Sequence, residues 1–168
     1  DLSKETKNNK IVAVLSGPEP QRTFFEQKIT EQLQEINAPS VLIRGVVEER
    51  KNQQKGNLTI KNYLHSRDLL EEISNAKCII CRPGYSTMMD LSLFGKKVIL
   101  IPTPGQTEQE YLAENLSKQG KAVVQKQKSF HLKEAILRLD GIDCLPISKW
   151  NNDLLDQEII RFGQNLSK

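Results

Sequence analysis

The sequence predicts an α/β protein, and two features of the chain support this class. Short runs of β-branched residues recur along the sequence, and helical patterns separate most of them. Several of these runs are apolar nearly throughout, as is typical of strands buried on both faces of a sheet. Because strand–helix–strand alternation produces parallel strands covered by helices, we expect a Rossmann-like three-layer sandwich with a mostly parallel sheet of about six strands.

The predicted elements follow one another with short connections. Six runs are predicted to be strands: 11–17, 40–46, 58–64, 77–81, 97–102 and 121–125. Helical patterns occupy 23–36, 66–76, 87–95, 107–120 and 129–139, and 151–166 is predicted to be a closing helix. Segment 47–57 is polar and carries no convincing helical pattern, so it is predicted to be either a short crossover or a flexible loop.

Periodicity and end signals support the helices. The first helical pattern places four apolar residues on one stripe: Phe25, Ile29, Leu33 and Ile36. Two later patterns end in a glycine that suits a helix C-cap, Gly95 and Gly120. Residues 1–10 are polar except for Leu2 and are predicted to be a linker from a preceding domain, which leaves 11–168 as one ligand-binding domain.

Composition excludes several functional classes. The net charge is +3, with Lys and Arg scattered among nearly as many Asp and Glu, and aromatic residues make up only 5%. Nucleic-acid binding is therefore not expected, because it needs a concentrated basic surface or stacking aromatics. No apolar stretch approaches the ~20 residues of a membrane span. Three cysteines, an odd number, favour a reducing compartment, so a cytoplasmic location is predicted.

Cys78 and Cys81 form a C-x-x-C motif, for which redox and zinc-binding interpretations exist. Both lie in the run KCIIC, which is predicted to be a strand. Residues three apart in a strand point to opposite faces, where two thiols share a metal or a bridge with difficulty. A structural role is therefore favoured for both. No D-x-D motif occurs in the chain, which weakens a site that holds a diphosphate through Mg²⁺.

Ligands of open α/β sheets bind beyond the carboxyl ends of the strands, and three loops there are unusual. The first, SGPEPQR (16–22), has a single glycine and two prolines, so it lacks both the dinucleotide fingerprint and the P-loop. NAD or FAD binding is therefore not expected, and no cofactor is predicted. The loop is either a rigid turn or a wall of the site from which Arg22 reaches an anionic group.

The second loop is CRPGYSTMMD, residues 81–90, between a strand and a helix. Gly84 allows backbone to approach a ligand, and the N–H groups of a helix start favour an anion. Arg82, Tyr85 and Ser86 add polar and special residues there. A competing interpretation makes Thr87 the N-cap of the helix and Asp90 part of a capping box.

The third loop, PTPGQTEQEYLAENL (102–116), again leaves a buried strand through Pro and Gly into a helix. Thr107 and Glu110 repeat the Thr-x-x-acid spacing, so the capping interpretation applies here as well. Gln106, Gln109 and Glu110 nevertheless place three hydrogen-bonding side chains over this helix start. Two neighbouring helix starts, one for phosphates and one for hydroxyls, suit a nucleotide-sugar.

The stretch CRPGYSTMMDLSLFGKKVILIPTPGQTEQEYLAENL resembles the donor-binding signature of the family 28 glycosyltransferases, and the likeness is good over about residues 60–125. The resemblance implies the C-terminal, donor-binding half of a GT-B fold, without catalytic residues of its own and without a metal. It implies a UDP-sugar donor and an inverting, metal-independent transfer of a hexose or N-acetylhexosamine. The acceptor is then bound by an N-terminal domain, through which the full-length protein contacts the inner face of the membrane.

The resemblance also implies roles for individual residues. Asp90 binds the ribose hydroxyls, and backbone around Leu64 and His65 contacts the base. The diphosphate lies against Gly84, Tyr85, Ser86 and Thr87, and the donor sugar against Gln106, Gln109 and Glu110. The sequence departs from the family pattern at four places: Asp90 for the usual Glu, Tyr85 for a small residue, Glu110 for a second Gln, and loop 16–22 for a Gly-rich loop.

Two other functions fit the same fold. A UDP-sugar 2-epimerase shares the two-domain architecture, but it needs carboxylates and a His over the sugar, and this rim supplies Glu110 and no obvious His. A non-catalytic nucleotide-sugar-binding module would instead dock a membrane partner that holds the acceptor site.

Overall fold

The computed structural model describes residues 9–47 and 52–145. Its strands are β1 (Lys10–Val14), β2 (Ser40–Ile43), β3 (Gln53–Lys55), β4 (Leu58–Lys61), β5 (Ala76–Cys81), β6 (Lys97–Leu100) and β7 (Ala122–Val124). They form one sheet in the order β3-β4-β2-β1-β5-β6-β7. Every neighbouring pair is parallel except β3 and β4. The α/β class and the mostly parallel sheet are confirmed.

Five α-helices connect and cover the strands. They are α1 (Gln21–Glu35), α2 (Ser66–Ser74), α3 (Tyr85–Ser92), α4 (Thr107–Lys118) and α5 (Leu132–Arg138), with short 3-10 helices at Gln127–Ser129 and Leu139–Gly141. Helices α1 and α5 pack in the apolar cluster on one face of the sheet, and α2, α3 and α4 pack in the cluster on the other. This arrangement is the predicted three-layer sandwich. Among the described residues, no helix is both long and apolar enough to cross a membrane.

The sheet has one strand more than the six predicted. β3 lies within the polar segment 47–57 and pairs antiparallel with β4, so the two form a hairpin at the edge of the sheet. Gly56 occupies the turn with φ +59°. All three residues of β3 are exposed, so no apolar alternation marks the strand in the sequence. Its backbone pairing, which periodicity does not reveal, is what makes it a strand.

The helix-end prediction holds at Gly120, which directly follows the C-cap of α4, and is wrong at Gly95, because α3 ends earlier with Leu93 as its C-cap. Gly95 and Gly120 have φ of +56° and +66°, the left-handed conformation that glycine adopts without steric cost. After α4, the Gly120 N–H donates to the Ser117 carbonyl at 3.0 Å and the Lys121 N–H donates to the Leu116 carbonyl at 2.9 Å. This pair of bonds is a Schellman motif, which satisfies two carbonyls that the helix leaves unpaired.

The predicted apolar stripe of the first helix is buried. Phe25, Ile29 and Leu33 lie in the cluster between α1 and the sheet, and Ile36, at the end of the helix, packs against that cluster while partly exposed. Phe25 also meets Phe130 edge to face, with ring centroids 5.5 Å apart. These contacts fix the helix that leads out of the β1 loop, and therefore one wall of the carboxyl edge.

Two terminal predictions fall largely outside the described residues. Of the predicted linker 1–10, residues 1–8 are outside them, while Lys10 already belongs to β1. The predicted closing helix 151–166 lies wholly outside them as well.

Candidate functional site

β1 and β5 are neighbours in the sheet, and the direction in which the chain adds strands reverses between them. From β1 the chain continues to β2 and β4 on one side, and from β5 it continues to β6 and β7 on the other. In open α/β sheets the crevice outside such a switch point is where ligands bind. β5 and β6 are neighbours, so the starts of α3 and α4 lie side by side at this edge, as predicted.

Helix α3 begins at Tyr85, with Gly84 as its N-cap in an extended conformation. No side chain caps this start, and the first turn closes through the Met88 N–H, which donates to the Gly84 carbonyl at 2.9 Å. The prediction that Thr87 is the N-cap is therefore wrong. Because Gly84 takes the cap position, the helix starts two residues earlier and Thr87 lies inside its first turn.

Three polar side chains at the start of α3 have no partner among the described residues. The side chains of Ser86 and Asp90 are exposed and that of Thr87 is half-buried. In the described part of the chain, none of the three makes a side-chain hydrogen bond or ion pair. Backbone N–H groups of a first helical turn likewise have no acceptor within the helix. The arrangement therefore offers several donors and one carboxylate at the switch point.

Tyr85 differs from its neighbours in the same turn. It is half-buried and packs against the apolar cluster that α3 forms with the sheet. Packing of the ring fixes the direction in which the helix leaves the β5 loop.

Helix α4 begins at Thr107, and its N-cap is Gln106 without a side-chain capping bond. The interpretation that Thr107 caps this helix is therefore wrong. The Gln109 side chain is instead tied to the loop before the helix, because its Oε1 accepts from the Thr103 N–H at 2.8 Å. Its Nε2 donates to Gln106 Oε1. The structure thus brings Gln106 and Gln109 together, as predicted, but through a bond to each other.

Glu110 lies on a different side of α4 from Gln109. It is exposed and lines a cleft of about 520 Å³ between the helix and the segment after β7. Pro104, Glu114 and Lys126 line the same cleft. The Glu110 side chain therefore has different surroundings from the two glutamines with which the sequence grouped it, since those two bind each other and neither lines this cleft.

Arg22 is held by carboxylates of its own chain. Its guanidinium donates to Glu26 at 2.8 Å and also to Glu19, which lies in the loop after β1. Glu26 in turn accepts from Arg44 at 2.6 Å. Arg22 is buried and Glu26 is largely so, which shields their ion pair from water, whereas Glu19 is exposed. The charge of Arg22 is largely compensated, in contrast to the predicted role of binding an external anion.

Leu64 and His65 follow β4 at the same edge of the sheet. Leu64 is half-buried against the core, and His65 is the exposed N-cap residue of α2. The His65 ring meets the half-exposed Tyr63 ring edge to face, with centroids 5.5 Å apart. The loop thus presents backbone and two aromatic rings at the carboxyl edge of the sheet, with β2 between β4 and the switch point at β1.

Three buried polar residues tie the rim together, and two of them escaped the sequence analysis. Arg82 reaches from the β5 loop to Gln127, which lies in the 3-10 helix after β7. Thr103 lies in the loop after β6, where its Oγ1 is 3.4 Å from the position that a Cβ on Gly17 would occupy. The loops after β1 and β6 therefore touch beside the β5 exit. A single Gln or Thr in a loop carries no sequence signal that marks it as buried.

The C-x-x-C pair is structural. Cys78 and Cys81 are buried in the apolar clusters on opposite faces of the sheet, as the strand geometry predicts. Burial raises the pKa of both thiols to about 12, which keeps them protonated at neutral pH.

A family model decides the relationship of the chain to known proteins. Residues 11–146 match the glycosyltransferase family 28 C-terminal domain. The chain belongs to this family. Apart from Lys10 at the start of β1, the match spans every described strand and helix, including the starts of α3 and α4.

Two curated relatives support the family 28 assignment. Both are UDP-N-acetylglucosamine--N-acetylmuramyl-(pentapeptide) pyrophosphoryl-undecaprenol N-acetylglucosamine transferases. The protein from Desulforudis audaxviator is 38% identical over 71 residues, which cover 41% of this chain and 18% of that protein. The protein from Flavobacterium psychrophilum is 32% identical over 104 residues, covering 62% and 26%. The chain therefore matches only about a quarter or less of the length of these relatives.

Solved structures agree on the fold of this family 28 domain. A crystal structure of MurG from Acinetobacter baumannii aligns with a TM-score of 0.56 and 18% identity, over 83% of this chain and 45% of that one. An NMR structure of ALG13 aligns with a TM-score of 0.59 and 10% identity, over 89% and 94%. At these identities the likeness establishes the architecture alone.

Proposed function

We propose that this chain is the donor-binding domain of a glycosyltransferase that uses a UDP-sugar. The observation that carries the proposal is the uncapped start of α3 at the switch point, where Ser86, Thr87 and Asp90 have no side-chain partner in the described part of the chain. Polar side chains that gain no partner within the protein are available to a ligand. The family 28 domain match and the names of the curated relatives support a nucleotide-sugar as that ligand.

The diphosphate would lie at the first turn of α3. The N–H groups and hydroxyls of Ser86 and Thr87 supply donors there, and the positive end of the helix dipole favours an anion. Gly84 presents no side chain on the approach to this turn. Its φ of −110° suits any residue, so the glycine is explained by close approach of a ligand rather than by backbone strain.

Asp90 would bind the ribose hydroxyls. It lies one and a half turns into α3 on an exposed part of the helix, so a nucleotide whose phosphates sit at the helix start can reach it. A carboxylate accepts two hydroxyl hydrogen bonds, as an adjacent 2′- and 3′-hydroxyl pair requires. Backbone around Leu64 and His65, after β4, would contact the base edge.

The donor sugar would lie toward the start of α4. Gln106 and Gln109 present amide groups there, although Gln109 is also bonded to the Thr103 N–H. The second N–H of the Gln109 amide remains available for a sugar hydroxyl. Glu110, on the flank of the 520 Å³ cleft, would reach only a sugar substituent that extends past the helix. Arg22 would not contact the donor, because its guanidinium is already bound by Glu19 and Glu26.

The reaction proposed for the whole protein is an inverting, metal-independent displacement at the anomeric carbon of the sugar. This chain would contribute the start of α3, whose dipole and N–H groups stabilise charge on the departing diphosphate. An acceptor and a general base would come from outside the described residues.

A titration of this chain with nucleotides tests the proposal. UDP, UMP and ADP are added to the ¹⁵N-labelled protein with and without Mg²⁺, and amide shifts are followed by NMR. We expect UDP-selective shifts at residues 84–90 and 105–110, with the same Kd in both conditions. Absence of binding at millimolar UDP, or an equal response to ADP, would refute the UDP-donor assignment.

An Asp90→Ala variant tests the ribose contact separately. We expect the free energy of UDP binding to weaken by ~1–3 kcal/mol, the cost of losing one partner of a hydrogen bond to a charged group. The free energy of unfolding should change by less than ~0.5 kcal/mol, because the side chain is exposed and unpaired. Asp140→Ala, an equally exposed aspartate after α5, is the matched control and should leave UDP affinity unchanged.

A second function is a binding chain that works with a separate catalytic partner. The ALG13 structure supports this alternative. This chain aligns with 94% of ALG13, so the same fold exists as a chain of about this size. Incubation of this chain with UDP-N-acetylglucosamine, followed by ¹H NMR, should show neither hydrolysis nor a change of sugar configuration. A changed configuration at C2 would favour the epimerase instead.

A further inference from the structure

Arg82 is a buried cation that connects the exits of three neighbouring strands. It follows β5 directly and is 2% exposed. Its Nη1 donates to the carbonyl oxygens of Ile101 at 2.8 Å and Pro102 at 3.1 Å, in the loop after β6. Its Nη2 donates to Gln127 Oε1, after β7. A single planar guanidinium thus fixes the relative positions of these loops.

The charge of Arg82 is not compensated within the described part of the chain. All of its acceptors there are carbonyl or amide oxygens, and no carboxylate pairs with it. Its guanidinium carbon lies 4.7 Å from the centre of the Phe25 ring, a cation–π contact. Burial lowers the pKa of Arg82 to about 10, so the group stays charged at neutral pH.

Arg22, the other buried arginine at this edge, differs from Arg82 in having carboxylate partners. Arg22 pairs with Glu19 and Glu26. A buried charge without a counter-ion is costly, and buried charges in proteins are as a rule paired. Arg82 Nε and Thr103 Oγ1 are also buried without a hydrogen-bond partner. Unsatisfied groups and uncompensated charge therefore coincide beneath the rim.

We propose that Arg82 is a positioning residue of the donor site, which holds the loops after β5, β6 and β7 together and favours a phosphate anion at the start of α3 through its uncompensated charge. The inference rests on the proposed function, because it needs a diphosphate at that helix start. The charge of Arg82 acts on the anion without direct contact, since only Pro83 and Gly84 separate Arg82 from the first residue of α3. If Arg82 only held the loops together, its loss would lower the affinity for neutral and charged ligands alike.

The test compares UDP with uridine, which lacks the diphosphate. Wild type, Arg82→Met and Gln127→Met are titrated with both ligands by NMR. Methionine at position 82 keeps an apolar side chain of similar length. Gln127→Met removes the two hydrogen bonds that the Gln127 amide makes, to Arg82 and to Gln21, and leaves the charge of Arg82 in place. We expect Arg82→Met to lower UDP affinity about tenfold, as for charges about 10 Å apart at an effective dielectric constant of about 20. Uridine affinity should change less than twofold, and Gln127→Met should keep the wild-type ratio.

An unchanged UDP affinity of Arg82→Met, or an equal loss for UDP and uridine, would overturn the inference. If that variant does not fold, the Arg82 Nε–H resonance of the wild type gives the answer. It should shift on addition of UDP and stay in place with uridine, and equal or absent shifts would overturn the inference. Failure of the wild type to bind any nucleoside diphosphate is a different result, because it refutes the proposed function itself.

Discussion

The starts of α3 and α4 carry similar sequence signals and are built differently. Each follows a buried strand through Pro and Gly, and each has the spacing Thr-x-x-acid. At the start of α3, Ser86, Thr87 and Asp90 have no side-chain partner within the described residues. At the start of α4, the Gln109 side chain binds the loop before the helix.

The difference separates a candidate ligand surface from a structural connection. The start of α4 satisfies the buried Thr103 N–H through Gln109, so that side chain contributes to stability whether or not a donor is bound. The start of α3 leaves its exposed polar groups to solvent or ligand. We therefore expect substitutions at the start of α4 to destabilise the fold in addition to any effect on sugar binding, and substitutions at the start of α3 to act on binding alone.

The largest effect on stability is expected for Gln109→Ala. The change leaves the Thr103 N–H buried without an acceptor, which costs about 1–3 kcal/mol of the free energy of unfolding. Urea unfolding followed by circular dichroism measures this. Gln106→Ala is the control, because it removes only an acceptor of the Gln109 amide and should cost less than ~0.5 kcal/mol. Equal losses for the two variants would contradict the distinction between the helix starts.

The glycines before the two helices give the next largest contrast. Gly105 has φ +82°, so Gly105→Ala should destabilise the fold by about 1–2 kcal/mol through backbone strain. Gly84 has φ −110°, and a Cβ there would lie 3.7 Å from Thr87 Oγ1, an ordinary contact. Gly84→Ala should therefore change stability by less than ~0.5 kcal/mol. Thermal unfolding measures both.

The same glycine variant also reports on binding. A methyl group at position 84 would stand between the backbone and a diphosphate, so we expect UDP affinity to fall several-fold while the fold is intact. Calorimetric titration measures the change. If Gly84→Ala binds UDP as tightly as the wild type, the diphosphate does not approach this backbone.

The smallest effect is expected for Thr87→Ala. Loss of a helix N-cap costs about 0.5–2 kcal/mol, whereas Thr87 lies inside the first turn and caps nothing. We therefore expect the free energy of unfolding to change by less than ~0.5 kcal/mol. Chemical unfolding of the variant at neutral pH measures it, and a loss above 1 kcal/mol would restore the capping interpretation.

Local patterns were sufficient for the fold. The six predicted strands and the five predicted helices that fall within the described residues are all present, because β-branched runs and 3.6-residue periodicity reflect burial directly. The exposed edge strand β3 was missed, since a strand without a buried face leaves no alternation in its side chains. Both Thr-x-x-acid spacings suggested caps that do not form, because glycine and glutamine took the cap positions.

The candidate site was predictable only in outline. Its position at the carboxyl ends of β5 and β6 follows from the parallel arrangement that alternating strands and helices imply. The partners of its side chains do not. Gln109 was grouped with Glu110 on sequence proximity, yet consecutive helical residues point about 100° apart and the two lie on different sides of α4.

The sequence by itself determined the α/β class, the order of the elements along the chain and the polar loops that precede α3 and α4. These features depend on neighbours a few residues apart. Tertiary structure decided which polar residues are already paired. Arg22 meets Glu26 within one helix, but Arg82 meets Gln127 from 45 positions away. Whether a charge is compensated depends on such distant partners, and only the folded chain brings them together.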